Sequence, residues 1–328
     1  MEGGTDVKAI VVSELGGPER LVLSDVPEPV VGPGDLLVGV AAAGLNFIDT
    51  YQRIGLYDLT LPFTPGMEGA GTVLEVGADV TGFQIGDKVG WAQVLGTYAE
   101  RHVVPAERAI PVPDETDPRV AAAVLLQGIT AHYLATDTFP LKPGDRCLIH
   151  AGAGGVGLLL TQIAKLRGAE VFTTVGTTDK ADLSRKAGAD HVILYSETDF
   201  QQAVEAAAGP NALDVVFDGV GADTFMKGLD LLRPRGLMAT FGNASGPAPE
   251  IAPLVLSRKG SLYLTRPTMA HYLRTREEML SRCSDLFSWI DQGALDVRIG
   301  AEYPLADAAE AHRALEARRT TGKVLIIP

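Results

Sequence analysis

With 328 residues, 46% of them hydrophobic and 21% charged, the chain is long enough to bury large cores and to divide into two domains. A formal net charge of −13 argues against nucleic-acid binding, which needs a basic surface, and against docking on an anionic membrane. Cys147 and Cys283 lie far apart and supply neither a disulfide framework nor a cysteine-rich zinc lobe.

No apolar run approaches the roughly 18 residues of a membrane span, and the N-terminal MEGGTDVK lacks a hydrophobic signal core. The expectation is a cytoplasmic protein with no membrane insertion. Residues 1–126 read as strand-rich: short apolar runs at 8–12, 36–41, 71–76 and 88–91 are separated by turn chemistry such as Val31-Gly32-Pro33-Gly34 and Gly86-Asp87. With no helix-length crossover between them, these strands predict a curved, partly barrel-like β domain. A helical pattern follows over 121–135, and Leu141-Lys142-Pro143-Gly144-Asp145 turns the chain into a strand at Arg146.

From there strands alternate with helices. Helices are expected at 156–167, 181–187, 199–208 and 222–231, and strands at 170–175, 191–194, 213–217, 236–241 and 261–265. This alternation predicts an α/β doubly wound parallel sheet that binds its ligand at the carboxyl ends of the strands. After Arg266-Pro267, helical stretches at 274–292 and 306–318 and a strand at 323–327 have no place in a completed sheet. The expected division is 1–126, 127–267, and a segment 268–328 that returns to the first domain.

RCLIHAGAGGVG (146–157) runs a strand into a glycine-dense turn and a helix start. Gly152, Ala153, Gly154, Gly155, Val156 and Gly157 fit G-x-G-x-x-G, and the next strand closes a βαβ unit of about 30 residues. Such a turn lets the backbone approach a pyrophosphate while helix N–H groups and the positive dipole end face the anion. Cofactor choice is read at the next strand end, Thr174-Val175-Gly176-Thr177-Thr178-Asp179-Lys180. Gly176 stands where NAD-preferring folds place an acid and Lys180 follows as a cation, which favours NADPH. Asp179 is expected to turn away from the phosphate as a helix cap. His150 and Cys147 are read as buried structural residues.

GLNFIDTYQRIGLY (44–57), PGMEGAGTV (65–73), HAGAGGVG (150–157) and GSLYLTRP (260–267) closely resemble the zinc-independent quinone oxidoreductases. These are NADPH-dependent members of the medium-chain dehydrogenase/reductase superfamily, related to zeta-crystallin. The resemblance runs over essentially the whole chain. It implies a GroES-like β-rich catalytic domain formed from both ends of the chain, an inserted Rossmann domain, and an active site in the cleft between them.

Zinc alcohol dehydrogenases of that superfamily carry a cysteine where this chain has Asn46, and Gly-His-Glu where it has Gly66-Met67-Glu68. An amide and a thioether do not hold zinc, so no metal is expected and Glu68 reads as structural. The remaining chemistry is hydride transfer to an acceptor that is already electron-poor, such as a quinone. By resemblance Asn46, Tyr51 and Tyr57 face the nicotinamide and the acceptor, as neutral donors for a developing oxyanion.

The resemblance adds Tyr195 and Arg318, with Arg319 as the alternative, as contacts to the phosphate or adenosine. It places Thr130, Phe241, Gly242, Asn243, Leu264 and Thr265 along the nicotinamide and ribose, and Asp218 follows another strand end at the adenine or pyrophosphate. The competing activity is zinc-free reduction of 2-alkenals or enones, which needs a proton delivered to carbon. A structural or RNA-binding role is the minor alternative, and the acidic balance weighs against RNA. An edge strand at 260–266, with apolar Leu262 and Leu264, implies a homodimer paired through that edge.

Overall fold

The computed structural model describes residues 6–328. In chain order, β1 (Asp6–Val11), β2 (Val22–Pro27), β3 (Asp35–Leu45), α1 (Phe47–Arg53), β4 (Glu68–Val76), β5 (Lys88–Ala92), β6 (Arg101–Pro105), β7 (Ile110–Pro111) and α2 (Pro118–Tyr133) come first. The alternating region follows: β8 (Arg146–Ile149), α3 (Gly155–Leu166), β9 (Glu170–Val175), α4 (Thr178–Lys186), β10 (His191–Leu194), α5 (Phe200–Ala208), β11 (Leu213–Asp218), α6 (Phe225–Leu231), β12 (Leu232–Thr240), α7 (Pro253–Arg258) and β13 (Tyr263–Thr265). The chain ends with α8 (Arg276–Asp291), β14 (Ile299–Pro304), α9 (Ala308–Glu316) and β15 (Lys323–Ile327).

Two units result: the chain up to Leu126 together with Val297–Pro328, and Gln127–Asp296. In the first, the seven-stranded sheet has the order β14-β15-β3-β4-β5-β7, with β6 also pairing β3. The β3–β4 register breaks at Leu37/Val38 and Val40/Ala42, irregularities of the kind that bend a long strand pair. Leu36, Val38, Val73, Val89, Trp91 and Val104 fill one core, and Ile10, Leu45, Phe63, Tyr98, Val324 and Ile326 fill another. The last strand completes the sheet: β15 lies antiparallel to β3, with Val324 opposite Leu45 and Ile326 opposite Ala43.

The second unit is a six-stranded parallel sheet of order β10-β9-β8-β11-β12-β13. Its direction of winding reverses between β8 and β11, the position at which such sheets open a ligand crevice beyond their carboxyl ends. Leu148, Phe172, Val216, Leu229 and Met238 form its core.

Three expectations change. The segment from 268 to 296 stays in the second unit: Tyr272 stacks on Tyr133 at 4.2 Å, Arg282 Nη1 donates to Asp137 at 2.8 Å, and Asp285 meets His132 at 2.9 Å. The return to the first unit therefore begins at Val297. Strands β2, β6, β7 and β14 and helices α1 and α7 were not expected. β14 buries none of its residues fully and α1 spans seven residues, so neither leaves a strong apolar period. Finally, Leu262 is 6% exposed and packs in the parallel-sheet core, whereas Tyr263 at 62% and Leu264 at 38% are the exposed apolar residues of the edge.

Leu262→Ala is expected to cost about 2–5 kcal/mol of unfolding free energy, and Leu264→Ala less than about 1, read as shifts in urea midpoint at unchanged slope.

Candidate active site

The carboxyl ends of the parallel strands gather most of the expected cofactor residues. α3 starts with Gly154 as its N-cap, at φ −77° and ψ 172°, so the backbone itself forms the entry to the helix. A Cβ on Gly154 would meet only Ala151, at 3.2 Å from its oxygen, which leaves the approach to the helix end open to an anion. Gly152 and Gly157 serve packing instead. A Cβ on Gly152 would lie 2.6 Å from Thr173 Cβ, and one on Gly157 would run into the Ala151 carbonyl. Ala153 is buried against Val175 and Ala181, and Val156 follows on the first turn of α3. The turn therefore fits a pyrophosphate at the helix N-terminus.

At the end of β9, a Cβ on Gly176 would lie 2.6 Å from the Tyr195 hydroxyl, so the glycine makes room for that phenol. Thr177 caps α4, its hydroxyl accepting from Lys180 N at 3.4 Å. Asp179 is thus a first-turn residue and not the cap, because Thr177 holds the extended N-cap backbone. Lys180 and Tyr195 share this strand-end region with Gly176, whereas Arg318, at φ 58° after α9, belongs to the other unit.

Asp218 ends β11 fully buried, and its Oδ1 accepts from Val220 N at 2.8 Å, Gly221 N at 3.1 Å and Thr224 Oγ1 at 2.9 Å. That oxygen shapes the loop. The backbones of Gly219 and Gly242 then pack against each other, and a Cβ on Gly219 would lie 3.0 Å from the Phe241 ring. Asn243, with its amide set to satisfy both neighbours, donates to Gly242 O at 2.9 Å and accepts from Arg266 at 3.2 Å. Leu264 and Thr265 close the edge on β13. His150 joins β8 to β9 through Thr174 Oγ1 at 2.9 Å, and burial lowers its pKa, which keeps the ring neutral. On α2, Thr130 is buried and hydrogen-bonds Tyr133, whose hydroxyl burial pushes up to about 12.

In the first unit, the register of β15 against β3 sets Lys323 beside Asn46. The Lys323 ammonium, 1% exposed, pairs with Glu68 and donates to Asn46 Oδ1 at 3.0 Å. The Asn46 amide gives its protons to Glu68 Oε2 at 2.9 Å and Gly44 O at 3.0 Å. Glu68 Oε1 accepts from Leu126 N at 2.6 Å. Asn46 is therefore a clamped residue that fixes the start of α1. Tyr51 and Tyr57 meet edge-on at 5.7 Å, the former buried and the latter 39% exposed.

Behind α1 runs a second polar chain that sequence reasoning missed. Asp49 Oδ2 accepts from Asn46 N at 2.8 Å and from the Tyr98 hydroxyl at 3.0 Å. Tyr98 meets His312 at 3.3 Å, and Arg53 joins His312 at 2.9 Å and Glu316 at 2.5 Å. Burial raises the Asp49 pKa to about 7, against the lowering effect of the Asn46 and Tyr98 hydrogen bonds and of Lys323. The signal in the sequence was the pair of charged residues inside the short FIDTYQR stretch. Among the described residues no three His, Cys, Asp or Glu side chains converge to hold a metal.

Residues 32–114 match the alcohol dehydrogenase GroES-like domain, and residues 155–289 match the zinc-binding dehydrogenase domain. Those two domains define a medium-chain dehydrogenase/reductase. The chain is 44% identical to the quinone oxidoreductase of Pseudomonas aeruginosa, over 98% of this chain and 99% of the relative. It is 40% identical to a 2-haloacrylate reductase of Burkholderia, over 98% and 99%. The crystal structure of Escherichia coli quinone oxidoreductase complexed with NADPH superposes with a TM-score of 0.96 at 42% identity, covering 98% of this chain and 100% of that one. The chain belongs to the quinone oxidoreductase family.

Lys323→Met strands the Glu68 carboxylate and is expected to destabilise the protein by about 3–5 kcal/mol, with Glu68→Gln in the same chain recovering part of the loss in denaturant melts. Asp49 holds its proton more tightly when folded than its ordinary value of 3.8 allows, so its contribution to stability falls as pH rises from there to about 7. Asp49→Asn removes that slope, and thermal melts at pH 5 and pH 8 should differ less for the variant than for the parent.

Proposed function

We propose that the chain is an NADPH-dependent quinone reductase working without a metal. The observation that carries this reading is the open anion seat at the start of α3 within a chain 44% identical, end to end, to a quinone oxidoreductase. Bound NADPH supplies the hydride from C4 of its nicotinamide. The helix end at Gly154–Val156 takes the pyrophosphate, with Ala153, Gly152, Gly155 and Gly157 keeping helix and strand close. Gly176 and the Tyr195 hydroxyl leave the ribose 2′ position free of negative charge, and Lys180 and Arg318 supply cations for the phosphate.

Thr130, Phe241, Gly242, Asn243, Leu264 and Thr265 orient the nicotinamide and ribose, while Asp218 holds the loop at the adenine or pyrophosphate. On the acceptor side, Tyr51 and Tyr57 are the neutral donors to the developing oxyanion. Asn46 acts by holding their segment, since its amide donates to Glu68 Oε2 and to the Gly44 carbonyl. The substrate is a quinone or a comparable electron-poor small molecule, and the acidic net charge of −13 disfavours a nucleic-acid partner.

A second reading, reduction of a conjugated C=C, is favoured by the 40% identity to a 2-haloacrylate reductase. That product needs a proton at carbon, so a phenol such as Tyr51 would matter more to it. The exposed Tyr263 and Leu264 on the β13 edge support a homodimer paired there, and NADPH with two buried free thiols, Cys147 and Cys283, suits the cytoplasm.

NADPH oxidation is to be followed by absorbance with an ortho-quinone, a para-quinone and a 2-alkenal, against NADH controls. Turnover with NADPH and quinones supports the reading, turnover with the alkenal alone moves the activity to the second one, and no turnover sinks both. Gly176→Asp should raise KM for NADPH about tenfold or more while leaving NADH little affected. Tyr263→Lys should halve the mass seen in light scattering; unchanged mass would remove the proposed dimer edge.

A further inference from the structure

We propose that Gln127, on α2, is a cofactor-positioning residue whose side-chain amide donates to the dinucleotide pyrophosphate at the start of α3. The inference rests on the NADPH reading above. Its origin is Gly155, the first residue of α3, which differs from the other glycines of the turn. A Cβ there would run into the Gln127 carboxamide, meeting Oε1 first and Nε2 at 2.8 Å. A Cβ on Gly154 would meet only Ala151, and one on Gly157 would meet backbone. Gly155 is kept small by a polar carboxamide, and that side chain comes from 28 residues upstream.

The chemistry of the carboxamide suits the place. Its oxygen lies against the first turn of α3, where backbone N–H groups and the dipole make the potential positive. The NH2 group is farther from Gly155 than the oxygen is, and its protons are the donors the proposal assigns to an anion seated on the same turn. The helix that carries it is otherwise strongly apolar: Ala121 to Leu125 are all buried, and Gln127, Thr130 and Tyr133 form a polar stripe at three-residue spacing. Two members of that stripe, Thr130 and Tyr133, are already hydrogen-bonded to one another. An amide spends no charge, so it can sit beside the helix end both with and without the phosphate. A lysine there would be repelled by the dipole, and a glutamate would compete with the phosphate.

The test is calorimetric binding of NADPH and of adenosine 2′-monophosphate, which keeps the adenosine and its 2′-phosphate but has no pyrophosphate. Gln127→Ala should weaken NADPH about tenfold, and Gln127→Glu, which keeps the shape and adds a charge, by more. Both variants should bind adenosine 2′-monophosphate within about twofold of the parent. Gln127→Met, an apolar residue of similar volume, should behave as the alanine variant does and so separates lost donation from lost packing. NADPH affinity within twofold of the parent in all three variants would overturn the proposal. So would equal losses for both ligands. A parent protein that binds no NADPH would overturn the reductase reading itself, and this proposal with it.

Discussion

The buried ion pair between Lys323 and Glu68 is the constraint on which the first unit depends. It takes a carboxylate from β4 and an ammonium from the last strand of the chain and places both out of water, a costly arrangement unless every lone pair and proton is met. Asn46 and Leu126 N meet them. The pair thereby joins four pieces of chain: the end of β3, the start of β4, α2 and β15. Burial lowers the Lys323 pKa while Glu68 raises it, so the ammonium owes its charge to the partner it holds. A chain lacking β15 would leave Glu68 unpaired and the start of α1 unclamped.

From this clamp the start of α1 takes its anchorage. Asn46 closes the N-terminus of α1, Asp49 returns the hydrogen bond, and the Tyr98–His312–Arg53–Glu316 chain fastens the far side of the helix to α9. Tyr51 lies on that helix, and Tyr57, just beyond its end, meets the Tyr51 ring edge-on. In the reaction proposed above, such pre-organisation would favour alignment of the acceptor, where small displacements cost rate. The second unit is built differently: its glycine turn is made mostly of backbone, with the glycines removing Cβ atoms where helix, strand and carboxamide come close.

Much of this was legible beforehand. The β9, β10 and β15 boundaries follow from short apolar runs between turn residues, and the winding of the sheet follows from regular alternation with helices of crossover length. The glycine turn announced the start of α3. What was less legible had weak local signals: β2 and β14 bury little, α1 is too short for a period, and α8 carries an amphipathic pattern that names no partner. Leu262 looked like an edge residue because 260–266 read as one edge strand, yet β13 begins only at Tyr263, and Leu262 just before it packs into the core while Tyr263 is exposed.

By itself, then, the sequence determined the class of each domain, the location of the glycine turn before α3 and the absence of an acid at Gly176, because these depend on local periodicity, turn chemistry and the identity of single residues. Only the tertiary structure decided that Lys323 neutralises Glu68, that Asn46 is clamped between them, and that Gln127 lies over Gly155. Those pairings join residues far apart in the chain, and nothing in a local pattern records which buried charge or amide will meet which.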